Sequence, residues 1–269
     1  MEFYVDENQK RKNRRILKIK IYGGSTVFLI LSAAIFYAVV YSPIFQIAQI
    51  NIYDGTSDVP IRTSDVLILT DDLKIYFANQ SKLTGFLGAE NILIWNNKIE
   101  DFLKQNSQFV GLSIKRNFLK REVKINFQKR ERFGVWCQSE CVWFDKRGVA
   151  FEKAPKIEGE MIFRVEDFSE KELMIGDKIM EESLFANLLK IFSILEQSDV
   201  GIRTLVIKNL SLQEAAVESE NPSIPEIYFS LRFDPAFTVA AINNLKEYGL
   251  NKIQYIDFRV ENRAYYKTK

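Results

Sequence analysis

The 269-residue sequence contains no histidine. That removes the commonest general base, the commonest zinc ligand and every Ser-His-Asp or Cys-His arrangement. Its two cysteines, Cys137 and Cys141, stand in Trp136-Cys137-Gln138-Ser139-Glu140-Cys141-Val142-Trp143. Apolar flanks around a polar centre fit two strands joined by a tight turn, leaving either a disulfide, if the compartment is oxidising, or two free thiols in a hairpin. Two cysteines alone cannot build a four-ligand zinc site, and a catalytic thiol would lack its base. Hydrolytic chemistry without histidine needs a carboxylate pair across a cleft, and Asp145, Asp167, Asp177 and Asp257 are the acids to inspect. Each falls where a turn or an exposed face accounts for it. The residue types therefore point to no catalytic group, no metal and no cofactor.

The elements that must carry these residues begin with a basic run. Lys10, Arg11, Lys12, Arg14, Arg15, Lys18 and Lys20 precede an uncharged apolar segment at 21–42, and the next basic residue is Arg62. At about 1.5 Å per residue a helix of that length spans roughly 33 Å, enough for a hydrocarbon core about 30 Å thick. The charge asymmetry places residues 1–20 in the cytoplasm and everything beyond the span outside, in a single-pass type II arrangement. A cleaved signal peptide is the rival, with Ser32, Ala33 and Ala34 imitating a cleavage site, but these lie in mid-run and 35–41 stays apolar. A buried core helix fits less well, because the segment is apolar on all sides behind a dense cationic block.

Of the 37 Lys/Arg and 35 Asp/Glu, seven and three belong to the tail, leaving 30 and 32 for the exterior. A near-neutral exterior lacks the concentrated basic face that nucleic acid requires. The tail reads as a topology signal with some attraction to anionic lipid heads. With 47% hydrophobic and 13% aromatic residues, the exterior is large and apolar enough for two cored domains.

In the first domain, Phe45, Ile47, Ile50 and Ile52 trace a strand closed by Tyr53-Asp54-Gly55. Thr63 or Ser64 then caps a helix to about Asn79, with Val66, Leu67, Leu69, Leu73, Ile75 and Phe77 as candidates for its buried side. Ile99, Phe102 and Leu103 recur at helical spacing within 96–105, and the period changes to two from Val110 and again over 122–129, a hairpin turning near 119–121. The second domain reads as mostly β. Strands are expected at 133–136, 142–145, 149–151, 161–165, 205–207, 215–217 and 227–233. Leu184, Phe185, Leu188, Leu189, Phe192 and Leu195 form one helical stripe that Gly201 closes. Asp234-Pro235 starts a second helix, with Phe237, Ala241, Leu245 and Tyr248 along one face and Gly249 at its end. Strands at 253–260 and 263–266 close the chain around Glu261-Asn262. Little sequence remains to cover the last of them, and an uncovered edge is a template for another chain, unless Arg263, Lys267 and Lys269 blunt it.

These residues resemble a family, the bacterial division proteins FtsQ, also called DivIB. Ser113-Ile114-Lys115-Arg116 through Val123-Lys124-Ile125-Asn126-Phe127 to Glu131-Arg132 is similar to the family's paired strands ending in Glu-Arg. Trp136, Val142-Trp143-Phe144-Asp145 and Gly148-Val149-Ala150-Phe151 resemble its next hairpin, and Tyr255-Ile256-Asp257-Phe258-Arg259 with Ala264-Tyr265-Tyr266 its closing strands. The chain departs from the family at Phe118-Leu119, at Phe133-Gly134 and in its C-x3-C hairpin. The resemblance implies an α+β chain: a cytoplasmic tail at 1–20, a transmembrane helix at 21–42, a small POTRA-like β-α-α-β-β domain at 43–131 and a mostly antiparallel β domain with two helices at 132–269. It implies a non-catalytic scaffold of the septal division complex in the cytoplasmic membrane. An FtsB-like member of an FtsB/FtsL-like coiled-coil pair would add a strand along Arg259, Val260, Asn262, Ala264, Tyr265 and Tyr266, and the POTRA-like domain would face other division proteins. An anchored chaperone or translocation component, binding β-rich clients through its first domain, is the alternative.

Overall fold

The computed structural model describes residues 7–55, 64–156, 159, 161–219 and 221–269, with side chains described from Lys12 onward and, in the second helix, from Leu67. The expected cap at Thr63 lies outside the described residues, as do the side chains of Ser64, where the second helix begins, and Val66. The chain is α+β and divides into two compact units, 1–99 with 112–127 and 100–111 with 128–269.

The first unit starts with α1 (Glu7–Tyr41), whose 35 residues make it about 52 Å long. It is the one described helix long and apolar enough to cross a membrane. Ser42 ends it, its hydroxyl accepting the Ile44 N–H at the start of a 3₁₀ turn, Pro43–Phe45. Then come β1 (Gln49–Asp54), α2 (Ser64–Asn79) and α3 (Lys82–Leu87). The hairpin strands are β2 (Phe109–Asn117) and β3 (Glu122–Lys129); α4 (Glu100–Gln105), which precedes them in sequence, belongs to the second unit. β1 runs parallel to β3, Ile52 beside Ile125, in a sheet ordered β1-β3-β2.

The alternation in β3 buries Val123, Ile125 and Phe127, which form a core with Leu69, Leu73 and Phe77 of α2 and with Ile92 and Trp95. On α2 the buried stripe is i, i+4, i+8, and Leu67 and Ile75, expected inside, are exposed. One helix face cannot hold all the apolar residues of that segment. α3 was not foreseen. It is a single capped turn and a half, with Ser81 and Thr84 satisfying each other's backbone N–H.

The second unit is one nine-stranded mixed sheet. Its strands are β4 (Gly134–Cys137), β5 (Cys141–Phe144), β6 (Ala150–Ala154), β7 (Phe163–Asp167), β8 (Thr204–Ile207), β9 (Glu214–Val217), β10 (Glu226–Ser230), β11 (Ile253–Phe258) and β12 (Tyr265–Thr268). They lie in the order β12-β11-β10-β9-β8-β7-β4-β5-β6. α5 (Glu182–Gln197) connects β7 to β8, and α6 (Thr238–Tyr248) connects β10 to β11. Both connected pairs are parallel, as is β4 with β7, while the other neighbours are antiparallel. A parallel pair needs a crossover, and each helix supplies one.

The helices share one core with the sheet. Phe185, Leu188, Phe192 and Leu195 of α5 pack with Trp136, Val165, Leu205, Ile227 and Phe258. On α6, Ile242 is fully buried whereas Tyr248, expected on the inner face, is exposed. Ser198 rather than Gly201 caps α5. Several strands are offset from expectation: β7 lies two residues later, β10 stops at Ser230, and the closing pair ends and resumes at Phe258 and Tyr265.

Candidate functional site

The acids with chemical potential are engaged locally. Asp145 accepts from Arg130 at 2.5 Å and from the N–H groups of Arg147 and Val149, fixing the turn before β6. Asp167 accepts from the Trp136 indole at 3.0 Å and the Gln138 amide at 2.8 Å, and from the Ser169 N–H at 2.9 Å. Exposed Asp177 contributes backbone, its carbonyl accepting from Ala150. The hairpin cysteines are joined: Cys137 and Cys141 are register partners across β4 and β5 and form a disulfide.

Asp257 sits at the sheet's end. Arg259 donates to both of its carboxylate oxygens, at 3.0 and 2.7 Å, and reaches Glu214 at 3.3 Å. Its guanidinium also lies 5.0 Å from the Tyr228 ring. Hydrogen bonding from Arg259 holds the Asp257 carboxyl below the usual carboxylate range, and the same bond raises the Arg259 guanidinium. A hydrogen bond to the Glu226 carboxylate, with burial, pushes the Tyr228 phenol up to about 12. Asp257, Arg259, Glu214 and Tyr228 line a groove of about 430 Å³ on the sheet face, with Lys208, Leu212 and Tyr255.

From this cluster the chain turns back. Arg263 donates to the Val260 carbonyl, Asn262 takes a left-handed φ of 56°, and β12 follows. Asparagine tolerates that conformation better than most residues. β12 pairs antiparallel with β11, Asp257 opposite Tyr265 and Ile256 opposite Tyr266, and the Lys269 N–H donates to the Lys252 carbonyl at 3.0 Å.

In an antiparallel ladder, alternate residues turn both backbone groups toward the partner. Counting from Lys269, Lys267 and Tyr265 face β11, so Tyr266 and Thr268 present their N–H and C=O outward. Among the described residues no strand lies on that side, and all four residues of β12 are exposed, Tyr265 at 48% and Tyr266 at 53%. The opposite edge differs: Ala150 at the start of β6 exchanges hydrogen bonds with Gly176 and Asp177.

Of the residues expected to bind a partner, Tyr265 and Tyr266 are on the edge strand, while Val260, Asn262 and Ala264 are exposed in the turn that feeds it. Arg259 belongs to the clamp with Asp257 and Glu214. Sequence reasoning missed Thr268, the second outward-facing residue; Lys267-Thr268 carries a strand former beside a basic residue, a signal too short to extend the strand. Compared with known proteins, the chain matches no family model and no curated protein.

Proposed function

We propose that this chain is a non-catalytic, membrane-anchored scaffold of the bacterial division complex, of the FtsQ/DivIB kind, that takes up a strand from an FtsB/FtsL-like partner along β12. The observation that carries the reading is the last strand of the sequence standing at the edge of a nine-stranded sheet, its outer side unpaired among the described residues. Strand addition uses such edges, with main-chain hydrogen bonds supplying register and neighbouring side chains supplying selectivity.

Three further features support it. α1 is long and apolar enough to cross a bilayer, and the basic residues before it orient the remainder outward. The Cys137–Cys141 disulfide suits an oxidising exterior. The first unit's order of strand, two helices and hairpin, with β1 beside β3, is compatible with a POTRA-like domain.

The test is a fluorescent fusion in dividing cells together with co-purification of the full chain. Midcell recruitment and recovery of an FtsB/FtsL-like pair are expected. A diffuse membrane signal with broad binding of unfolded peptides would overturn the scaffold and favour the anchored chaperone.

A further inference from the structure

We propose that the end of the first unit from which α1 leaves is a bilayer-contacting face, in which α3 and the β2–β3 turn seat apolar side chains in the outer headgroup boundary. The inference rests on α1 being a membrane span, and adds a second mode of membrane contact to it.

Two independent connections place these segments beside the helix exit. On α3, the Phe86 ring stacks on Phe36 of α1, centroids 5.5 Å apart. Phe36 lies six residues before Ser42, about 9 Å back along the helix. At the β2–β3 turn, the Arg121 guanidinium donates to the Pro43 carbonyl at 3.0 Å, and the Ala48 N–H donates to the Arg121 carbonyl at 2.8 Å. The tip of that turn holds Phe118 and Leu119, and Leu119 is 100% exposed. Leu83 and Phe86 of α3 are also exposed.

Charge separates a lipid surface from an ordinary protein-binding patch here. The segments 81–88 and 117–121 contain Lys82, Lys120 and Arg121 and no acidic residue. Apolar tips flanked by cations match the layered chemistry of acyl boundary and phosphate headgroups. The apolar surface is continuous, through the Phe36–Phe86 stack, with the face that a spanning α1 must give to lipid.

The depth follows from the polar groups beside the last turn of α1. Asn91, 2% exposed, donates its amide to the Val39 carbonyl, and neighbouring Glu90 is exposed and paired with Lys74. Asn91 holds Glu90 beside that turn, and an exposed, ion-paired carboxylate there is incompatible with hydrocarbon, so the outer boundary lies near Phe36 rather than Ser42. Tyr37 and Tyr41 then stand in the interfacial aromatic band. Back from Phe36 to Ile21 the helix covers about 24 Å, and the stems of Lys18 and Lys20 complete the inner side by snorkelling.

Nitroxides at Leu83→Cys, Leu119→Cys and Leu29→Cys, each in the full chain in nanodiscs of mixed zwitterionic and anionic phospholipid, test this. The native cysteines are oxidised and do not react. Collision with oxygen and with a water-soluble nickel chelate reports depth. Expected is a deep Leu29 label, with the Leu83 and Leu119 labels losing nickel accessibility relative to free label and reading within about 5–10 Å of the headgroup boundary. A deep Leu29 label with Leu83 and Leu119 as accessible as free label overturns the bilayer-contacting face and leaves the anchor standing. A nickel-accessible Leu29 label overturns the anchor and the face together.

Discussion

Two prolines placed one residue apart in β12 should have opposite consequences. Register assigns the Tyr266 N–H to the open side and the Tyr265 N–H to the ladder with Asp257. In the free protein, Tyr266→Pro removes a donor that water already satisfies, and an edge strand tolerates proline. In a strand-added complex the same change leaves the incoming carbonyl facing a ring without a donor. An unmet buried acceptor costs about 1–3 kcal/mol, a loss of roughly 5- to 150-fold in Kd. Tyr265→Pro instead cuts the native ladder, and with only four residues in β12 the strand frays.

The assay pairs titration of the full chain against an FtsB/FtsL-like coiled coil with hydrogen exchange at the Tyr255 and Asp257 amides. Exchange should quicken in Tyr265→Pro alone, and affinity should fall in both. Tyr266→Ala controls for loss of the ring. Unchanged affinity in Tyr266→Pro, with the partner still bound, refutes strand addition; quickened exchange in that variant refutes the register.

Gly148→Ala places a Cβ 2.8 Å from the Phe185 ring at a residue with φ +73°, and should lower the unfolding free energy by about 2–4 kcal/mol in denaturant titration. Replacing Cys137 and Cys141 together by serine opens a loop of only five residues, so denaturant stability should drop by about 2 kcal/mol at most while the β4–β5 hairpin persists. The Asp257 carboxyl is depressed on folding by its hydrogen bonds from Arg259, so its stabilisation is fully present above the unfolded value of about 3.9 and is lost as pH falls through the lower folded value. Asp257→Asn should flatten that acid limb in thermal melts and leave the curve's shape at neutral pH unchanged.

Local pattern made some elements readable and left others closed. The alternation Val123, Ile125, Phe127 and the stripe from Phe185 to Leu195 each serve one buried face, and both emerge as expected. Asp234-Pro235 carries its own mechanism, the carboxylate accepting from Ala236 at the 3₁₀ turn that leads into α6. The parallel pairing of β10 with β11 follows the strand-helix-strand order through α6, whereas that of β4 with β7 has no local signature, since β5, β6 and no helix lie between them in the chain. The late start of β12 depends on the Arg259 clamp and the left-handed Asn262, which lengthen the turn beyond Glu261-Asn262. Likewise the exposed Leu119 is visible as a residue type, but its place beside α1 comes from Arg121 reaching Pro43, 78 residues away.

The shortness of β12 constrains how a scaffold could use it. Two outward residues offer two donors and two acceptors, and at a net 0.5–1.5 kcal/mol each, four such bonds give about 2–6 kcal/mol before any ordering cost. A millimolar Kd corresponds to about 4 kcal/mol, so backbone pairing alone holds no partner at cellular concentrations. Side chains must add to it, and Tyr265, Tyr266 and Val260 are the exposed apolar groups at hand. Anchoring contributes differently: two chains confined to one membrane meet at an effective concentration set by their tethers, without new contacts. On the scaffold reading, a weak edge and a membrane span carried by one chain are then a consistent pair. The edge discriminates by register, the bilayer supplies proximity, and neither suffices once separated from the other.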